Sequence, residues 1–174
     1  MEKLDVHKLF SQKQIEKRVE EVAAQIDKDY KDLNPIIAVV LKGGFIFASD
    51  LVRKMEIPFT LDFLGASSYV GTESSGDIKI TKDLNTPIID RHLILVEDIV
   101  DTGLTLFKLV KLLKQRDPKS VSISAMLVKD FERPFDLKVA YPGFWIPNKF
   151  VVGYGLDYNE QYRGLTYIGY VEPE

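Results

Sequence analysis

Apolar residues recur along this chain at two periods, and the changes of period mark out its elements. From Ile15 the apolar positions Val19, Val22, Ala23 and Ile26 follow at steps of three and four, the period of a helix. Ser11 with Gln14 three residues on has the form of a capping box, so the spacing predicts an amphipathic helix from there to about Tyr30. "PIIAVVLKGG" is a β-branched run closed by glycines, which predicts a buried strand and a tight turn. "FIFASDLVRKM" then reads as a helix. "FTLDFL" is the next predicted strand, and its partner "DIKITKDL" follows a polar stretch from Ser67 to Gly76. "HLILVEDI" is a second strongly buried strand, followed by the amphipathic helix "LTLFKLVKLLKQRD". "SVSISAMLV", "KFVVGYGL" and "LTYIGYV" are three further strands. No internal repeat, low-complexity segment or linker interrupts the pattern.

Strand, helix and strand in alternation predict an α/β fold whose central sheet is mainly parallel, with right-handed crossovers. The 174 residues suit a single domain, residues 1–174, with a sizeable core. Apolar residues make up 45% and charged residues 28%, a globular balance. The net charge of -3 gives a nucleic-acid partner little support. With no cysteine, neither a disulfide framework nor a thiolate metal site is available. No apolar run approaches the roughly 20 residues of a membrane span, so the expected location is the cytoplasm. His7 and His92 are too scattered for a metal cluster and are expected to be structural or surface residues.

In parallel sheets ligands gather beyond the carboxyl ends of the strands, so those ends are where chemistry is to be sought. Four of them carry charge, glycine or both: "LKGG", "VEDIVDTG", "LVKD" and "GYGLDYNEQYRG". The second gathers Glu97, Asp98 and Asp101 within five residues, and like charges repel. Leaving the strand end, Glu97 and Asp98 can accept hydrogen bonds from vicinal hydroxyls. Thr102, Gly103, Leu104 and Thr105 then open a helix, whose free amides favour a phosphate. A ribose 5-phosphate satisfies both halves. The plainer alternative is that the acids merely complement the helix dipole.

Leu95 to Leu106 closely resembles the diphosphoribosyl-binding segment of the type I phosphoribosyltransferases. The resemblance extends through "LKGGFIFASDLVR", "SSYVGTESSGDIKI", "LVKD" and "IPNKFVVGYGLDYNEQYRGL", nearly the whole chain. It implies that family's fold, with a small hood and a mobile loop over the site, and a homodimer or homotetramer in the cytoplasm. It also implies transfer of ribose 5-phosphate from 5-phospho-α-D-ribose 1-diphosphate to hypoxanthine or guanine, with Mg2+ as cofactor. By similarity Glu97 and Asp98 bind the ribose hydroxyls, partly through magnesium, and Asp101 is the general acid or base at the purine N7. Thr102, Gly103, Leu104 and Thr105 hold the 5-phosphate; many relatives have lysine where this chain has Leu104, a change that leaves the backbone donors in place. Lys42, Gly43 and Arg163 meet the pyrophosphate; in relatives the bond matching Lys42–Gly43 can be cis, while the residues alone favour a plain glycine turn after the strand. Asp157 resembles a ligand of the second magnesium. Lys129 donates to the purine 6-oxo group and Phe150 stacks on the ring. The Val151 carbonyl and the backbone near Asp157 read the N1 and N2 edge. Ser68 and Tyr69 match the Ser-Tyr pair of the mobile loop. Trp145 lacks a counterpart in the motif and is expected to pack.

Two other classes fit parts of the pattern less well. A transcription or RNA regulator on the same fold would need a basic face or an extra domain. A dinucleotide-binding protein is suggested only by Gly153 and Gly155, which lack a third glycine and a following helix.

Overall fold

The computed structural model describes residues 5–68 and 78–172. Its elements are β1 (His7–Phe10), α1 (Gln12–Asp29), β2 (Ile36–Leu41), α2 (Gly44–Lys54), β3 (Thr60–Ser68) and β4 (Ile78–Lys82). They continue with β5 (His92–Val100), α3 (Leu104–Lys114), β6 (Ser120–Lys129), β7 (Tyr141–Ile146), β8 (Phe150–Val152) and β9 (Ile168–Val171). The main sheet has the order β4-β3-β2-β5-β6-β7. Its neighbours run parallel except for β3 and β4, which are antiparallel. This is the mainly parallel α/β sheet that the alternation predicts.

Period two along β2 shows why both faces of the sheet are covered. Ile37 and Val39 enter the core beneath α1 and α2, while Ile36, Ala38 and Val40 enter the core beneath α3. Strands covered on both faces read as continuous apolar runs, which is what "IIAVVL" is. α1 buries Ile15, Val19, Val22, Ala23 and Ile26, the stripe the spacing marks. Its capping box is present: the Ser11 amide donates to Gln14 Oε1 at 2.9 Å, and the Gln14 amide to Ser11 Oγ at 3.4 Å.

A second sheet, β1-β9-β8, joins the two ends of the chain into a small antiparallel hood. Neither β1 nor β7 is among the predicted strands. β1 is four residues long with two of them exposed, so no alternation betrays it. β7 contains Pro142 and Gly143, poor strand formers, and it lies at the sheet edge, where a missing amide donor is tolerated. Trp145 does not pack as expected; it lies on this edge strand 57% exposed. β8 is shorter than "KFVVGYGL" suggests, because Gly153, Tyr154 and Gly155 adopt positive φ and turn the chain away after Val152.

Candidate active site

Four strand ends meet at the carboxyl edge of the main sheet. Glu97 and Asp98 do not leave β5 as expected, since the strand continues to Val100 and Glu97 still pairs with Ala125 of β6. Sheet pairing therefore fixes the backbone of both acids. Burial, then the neighbouring Asp98 charge, pushes the Glu97 carboxyl well above its usual range. Burial also raises Asp98, although its carboxylate accepts from the Ile99 amide at 2.7 Å. Two adjacent acids driven toward their protonated forms are a site short of positive charge.

The turn from β2 into α2 comes directly onto this pair. A side chain on Gly43 would overlap the Asp98 carboxylate, and one on Gly44 would stand 2.7 Å from the Val96 carbonyl oxygen. The glycines are there for close approach. A cis peptide lies between Leu41 and Lys42, one residue before the Lys42–Gly43 bond at which the resemblance allows one. Gly43 is instead in right-handed helical conformation as the cap of α2, so the chain has already turned when it reaches that residue.

On the other side of Gly43, Gly155 approaches so closely that any side chain there would meet the Gly43 carbonyl oxygen. Gly155 also receives Arg163 Nη1 on its own carbonyl at 2.7 Å. Arg163 pairs with Asp157 at 2.9 Å and with Glu160 at 3.4 Å, and Lys42 reaches the same Glu160 carboxylate at 3.0 Å. Lys42 and Arg163, far apart in sequence, thus converge on one anionic oxygen.

Beyond β5, Gly103 at φ 77 caps α3. The helix has no side-chain cap bond and no acid in its first turn. That disfavours the reading of the acids as mere dipole complements. The Leu104 amide donates weakly to Thr102 Oγ1 at 3.4 Å, and the Leu104 side chain is 45% exposed. The start of α3 offers amides and hydroxyls to an anion.

At the end of β6, Lys129 is buried, with its ammonium 3.0 Å from both Asp101 Oδ2 and Asn148 Oδ1. Phe150, two residues past Asn148, keeps its ring 51% exposed and meets Tyr158 edge-on at 5.8 Å. An exposed aromatic face two residues from the Asn148 that holds the Lys129 ammonium suits a flat, polar-edged ring. Val151 is buried in the hood sheet, and Asp157 is engaged by Arg163 and by the Glu160 amide. Ser68 ends β3, while Tyr69 and the rest of the expected mobile loop lie outside the described residues.

Sequence reasoning missed Asn148, Glu160 and Arg133. Glu160 was legible only as a charge within "DYNEQYR", and nothing in the sequence tells that Arg133 folds back onto the end of β5. Among the described residues no three acids or histidines are arranged to hold a metal alone. Magnesium does not need such a cage, since it takes one or two carboxylates and fills its shell with water and substrate phosphate. The Glu97–Asp98 pair fits that demand.

A mainly parallel sheet that gathers an acid pair, a helix start without a side-chain cap and the cations Lys42 and Arg163 at one edge is the arrangement of a phosphoribosyltransferase. Residues 5–159 match the phosphoribosyl transferase domain family, and the chain belongs to it. Among its relatives, the hypoxanthine-guanine phosphoribosyltransferase of Bacillus subtilis (strain 168) is 44% identical over 175 residues, covering 99% of this chain and 97% of that protein. The hypoxanthine-guanine-xanthine phosphoribosyltransferase of Tritrichomonas foetus is 40% identical over 162 residues, covering 92% and 88%. A crystal structure of a hypoxanthine-guanine phosphoribosyltransferase from Bacillus anthracis superimposes with a TM-score of 0.91 at 40% identity. It covers 98% of this chain and 100% of the other.

Proposed function

We propose that this chain is a purine-salvage enzyme that transfers the 5-phosphoribosyl group of 5-phospho-α-D-ribose 1-diphosphate to hypoxanthine or guanine. IMP or GMP and pyrophosphate are the products. The bond from C1 of the sugar to the pyrophosphate oxygen breaks, the bond from C1 to the purine N9 forms, and the purine loses one proton. The observation that carries this reading is the 3.0 Å pair of Lys129 and Asp101. A 6-oxopurine presents O6 and N7 side by side on one edge, so a donor for the first and a proton acceptor for the second must themselves be neighbours.

In this reading Phe150 stacks on the base, Lys129 donates to O6, and Asp101 handles the proton at N7. The Val151 carbonyl and the backbone near Asp157 meet the N1 and N2 edge. Glu97 and Asp98 accept from the ribose hydroxyls. Thr102, Gly103, Leu104 and Thr105 hold the 5-phosphate through backbone donors and hydroxyls. Lys42, Gly43 and Arg163 receive the pyrophosphate, whose greater charge displaces the Glu160 carboxylate that now pairs both cations. Charge separation builds as the diphosphate leaves, and donors already aimed at it need little reorganisation. Glu97, Asp98 and Asp157 would hold Mg2+, which supplies the positive charge that the acid pair and the departing polyanion both lack. Ser68 and Tyr69 would belong to a loop that closes over the site and excludes water.

We further read the whole chain as one catalytic domain working in the cytoplasm; the family match over residues 5–159 supports the single domain. No helix of the described residues is long and apolar enough to cross a membrane. Phe45 and Leu61, both more than 40% exposed beside the α2 face, support a homodimer or homotetramer in which a second copy covers them. Nucleic acid is not an expected partner. The test is nucleotide and pyrophosphate formation from hypoxanthine and the diphosphate sugar with Mg2+, and its loss on chelation. Stoichiometric products support the reading, and absence of turnover with every 6-oxopurine refutes it.

A further inference from the structure

β5 and β6 pair in parallel register as far as Val100 and Val128. The residues that follow, Asp101 and Lys129, are the two whose side chains meet. Past Val100 no further sheet pairing of β5 with β6 fixes their separation. Arg133 supplies the missing tie. Its Nη2 donates to the carbonyl oxygens of Asp101 and Lys129, both at 2.9 Å, and of Val100 at 3.3 Å. Its guanidinium rests over the Phe131 ring, 4.8 Å from the centroid. A side chain on Gly103 would begin 3.3 Å from its Nε, so the same group borders the start of α3. That Nε is buried without a partner, which leaves the Nη2 bonds as the anchor of the group.

We propose that Arg133 is a positioning residue that sets the separation between Lys129 and Asp101, and with it the fit of the purine O6 and N7 edge. The proposal rests on the reading of those two residues given above. Hydrogen bonds to a charged donor are stronger than neutral ones, and the stack of the planar guanidinium on Phe131 holds Nη2 over the three carbonyls. A ligand edge that must meet two groups at once is sensitive to their spacing, and an error of about 1 Å can reduce rate about 10²-fold.

A residue that merely stiffens the fold would lower activity by the same factor whatever stands at position 129. A residue that acts through Lys129 would not. The experiment therefore compares kcat/KM for hypoxanthine in the parent, Arg133→Met, Lys129→Gln and the double variant, with Arg133→Lys as the conservative replacement. Arg133→Met is expected to lower kcat/KM about 10–100-fold in the parent. In the Lys129→Gln background the further loss is expected to be less than about threefold, because coupled residues are not additive. Arg133→Lys, which keeps the charge but loses the planar group over Phe131, is expected to fall between the parent and Arg133→Met. Equal factors in both backgrounds, or no loss in the parent, would overturn the proposal. If Arg133→Met does not fold, Arg133→Lys is judged by the same comparison of backgrounds. A parent with no turnover at all would defeat the functional reading instead. Amide hydrogen exchange over residues 100–104 then decides the tie itself: faster exchange in Arg133→Lys supports it, and unchanged exchange overturns it.

Discussion

Glu97 and Asp98 are neighbouring acids on one strand; burial raises both carboxyls, and the Asp98 charge raises Glu97 further. Because the Glu97 carboxyl is raised, the folded protein binds a proton there that the unfolded chain has already released. Stability of the free protein therefore falls as pH rises above the ordinary glutamate value of 4.5, through the window up to the raised value. Replacing Glu97 by Gln removes that slope. The expected result is a Tm higher by about 2–4 °C at neutral pH, the equivalent of about 1 kcal/mol, together with loss of activity. An unchanged or lower Tm would show that the pair is satisfied without a cation. Asp101 has the opposite profile: its side chain is 55% exposed and pairs with Lys129, so Asp101→Asn should leave the fold intact. It should lower kcat by roughly 10²–10⁴, the range for losing an acid–base group, with a smaller effect on binding of the diphosphate sugar. A steady-state comparison checks both, and unaltered turnover would remove Asp101 from the mechanism.

Among the elements, β3 and β4 depend on one buried acid. Asp62 accepts from the amides of Phe63, Asn85 and Thr86 at 2.7–2.8 Å and so pins the chain between β4 and β5. Burial alone would raise its carboxyl, but the Thr86 and Phe63 amides, the Thr86 hydroxyl and the Asn85 amide outweigh it, and the net shift is downward. The stability it contributes is present above the ordinary aspartate value near 3.8 and is lost as pH falls through the depressed one. Asp62→Ala should cost about 2–4 kcal/mol in urea denaturation at neutral pH, since buried amides lose a charged acceptor, and should flatten the acid limb. An equal urea midpoint in the two proteins would contradict this. Asp62 was legible in "FTLDFL" only as a polar position in a strand. α1 and α2 were legible almost to the residue, and α3 at its start, because each carries an apolar stripe against the sheet; α3 ends at Lys114, three residues before the predicted Asp117. β1 and β7 were not: β1 is four residues long with two of them exposed, and Pro142 and Gly143 mask the strand pattern of β7.

Across the whole molecule, the site is assembled from positions as distant as Lys42 and Glu160, brought to one edge by the parallel sheet and its hood. The motif around Glu97 to Thr105 was legible because strand, acids and helix start are contiguous, so local chemistry and local structure coincide. The convergence of Gly43 on Asp98, the sharing of Glu160 by Lys42 and Arg163, and the fold-back of Arg133 were not, because each depends on packing between distant segments. On the proposed function, recognition of the base is the property in which these pieces act together. In that reading a 6-oxopurine offers an acceptor at C6 to Lys129 and a donor at N1 to a backbone carbonyl; adenine reverses both. Two mismatched pairs in a closed site cost about 1–3 kcal/mol each, which gives discrimination of order 10²–10⁴.

The ratio of kcat/KM for hypoxanthine to that for adenine, measured in the parent and in Lys129→Gln, tests this most directly. The expected parent ratio is at least about 10². In Lys129→Gln it should fall, because the amide can turn its oxygen toward the adenine amino group. An unchanged ratio in the variant would remove Lys129 from base recognition, and efficient use of adenine by the parent would contradict the assignment of the substrate.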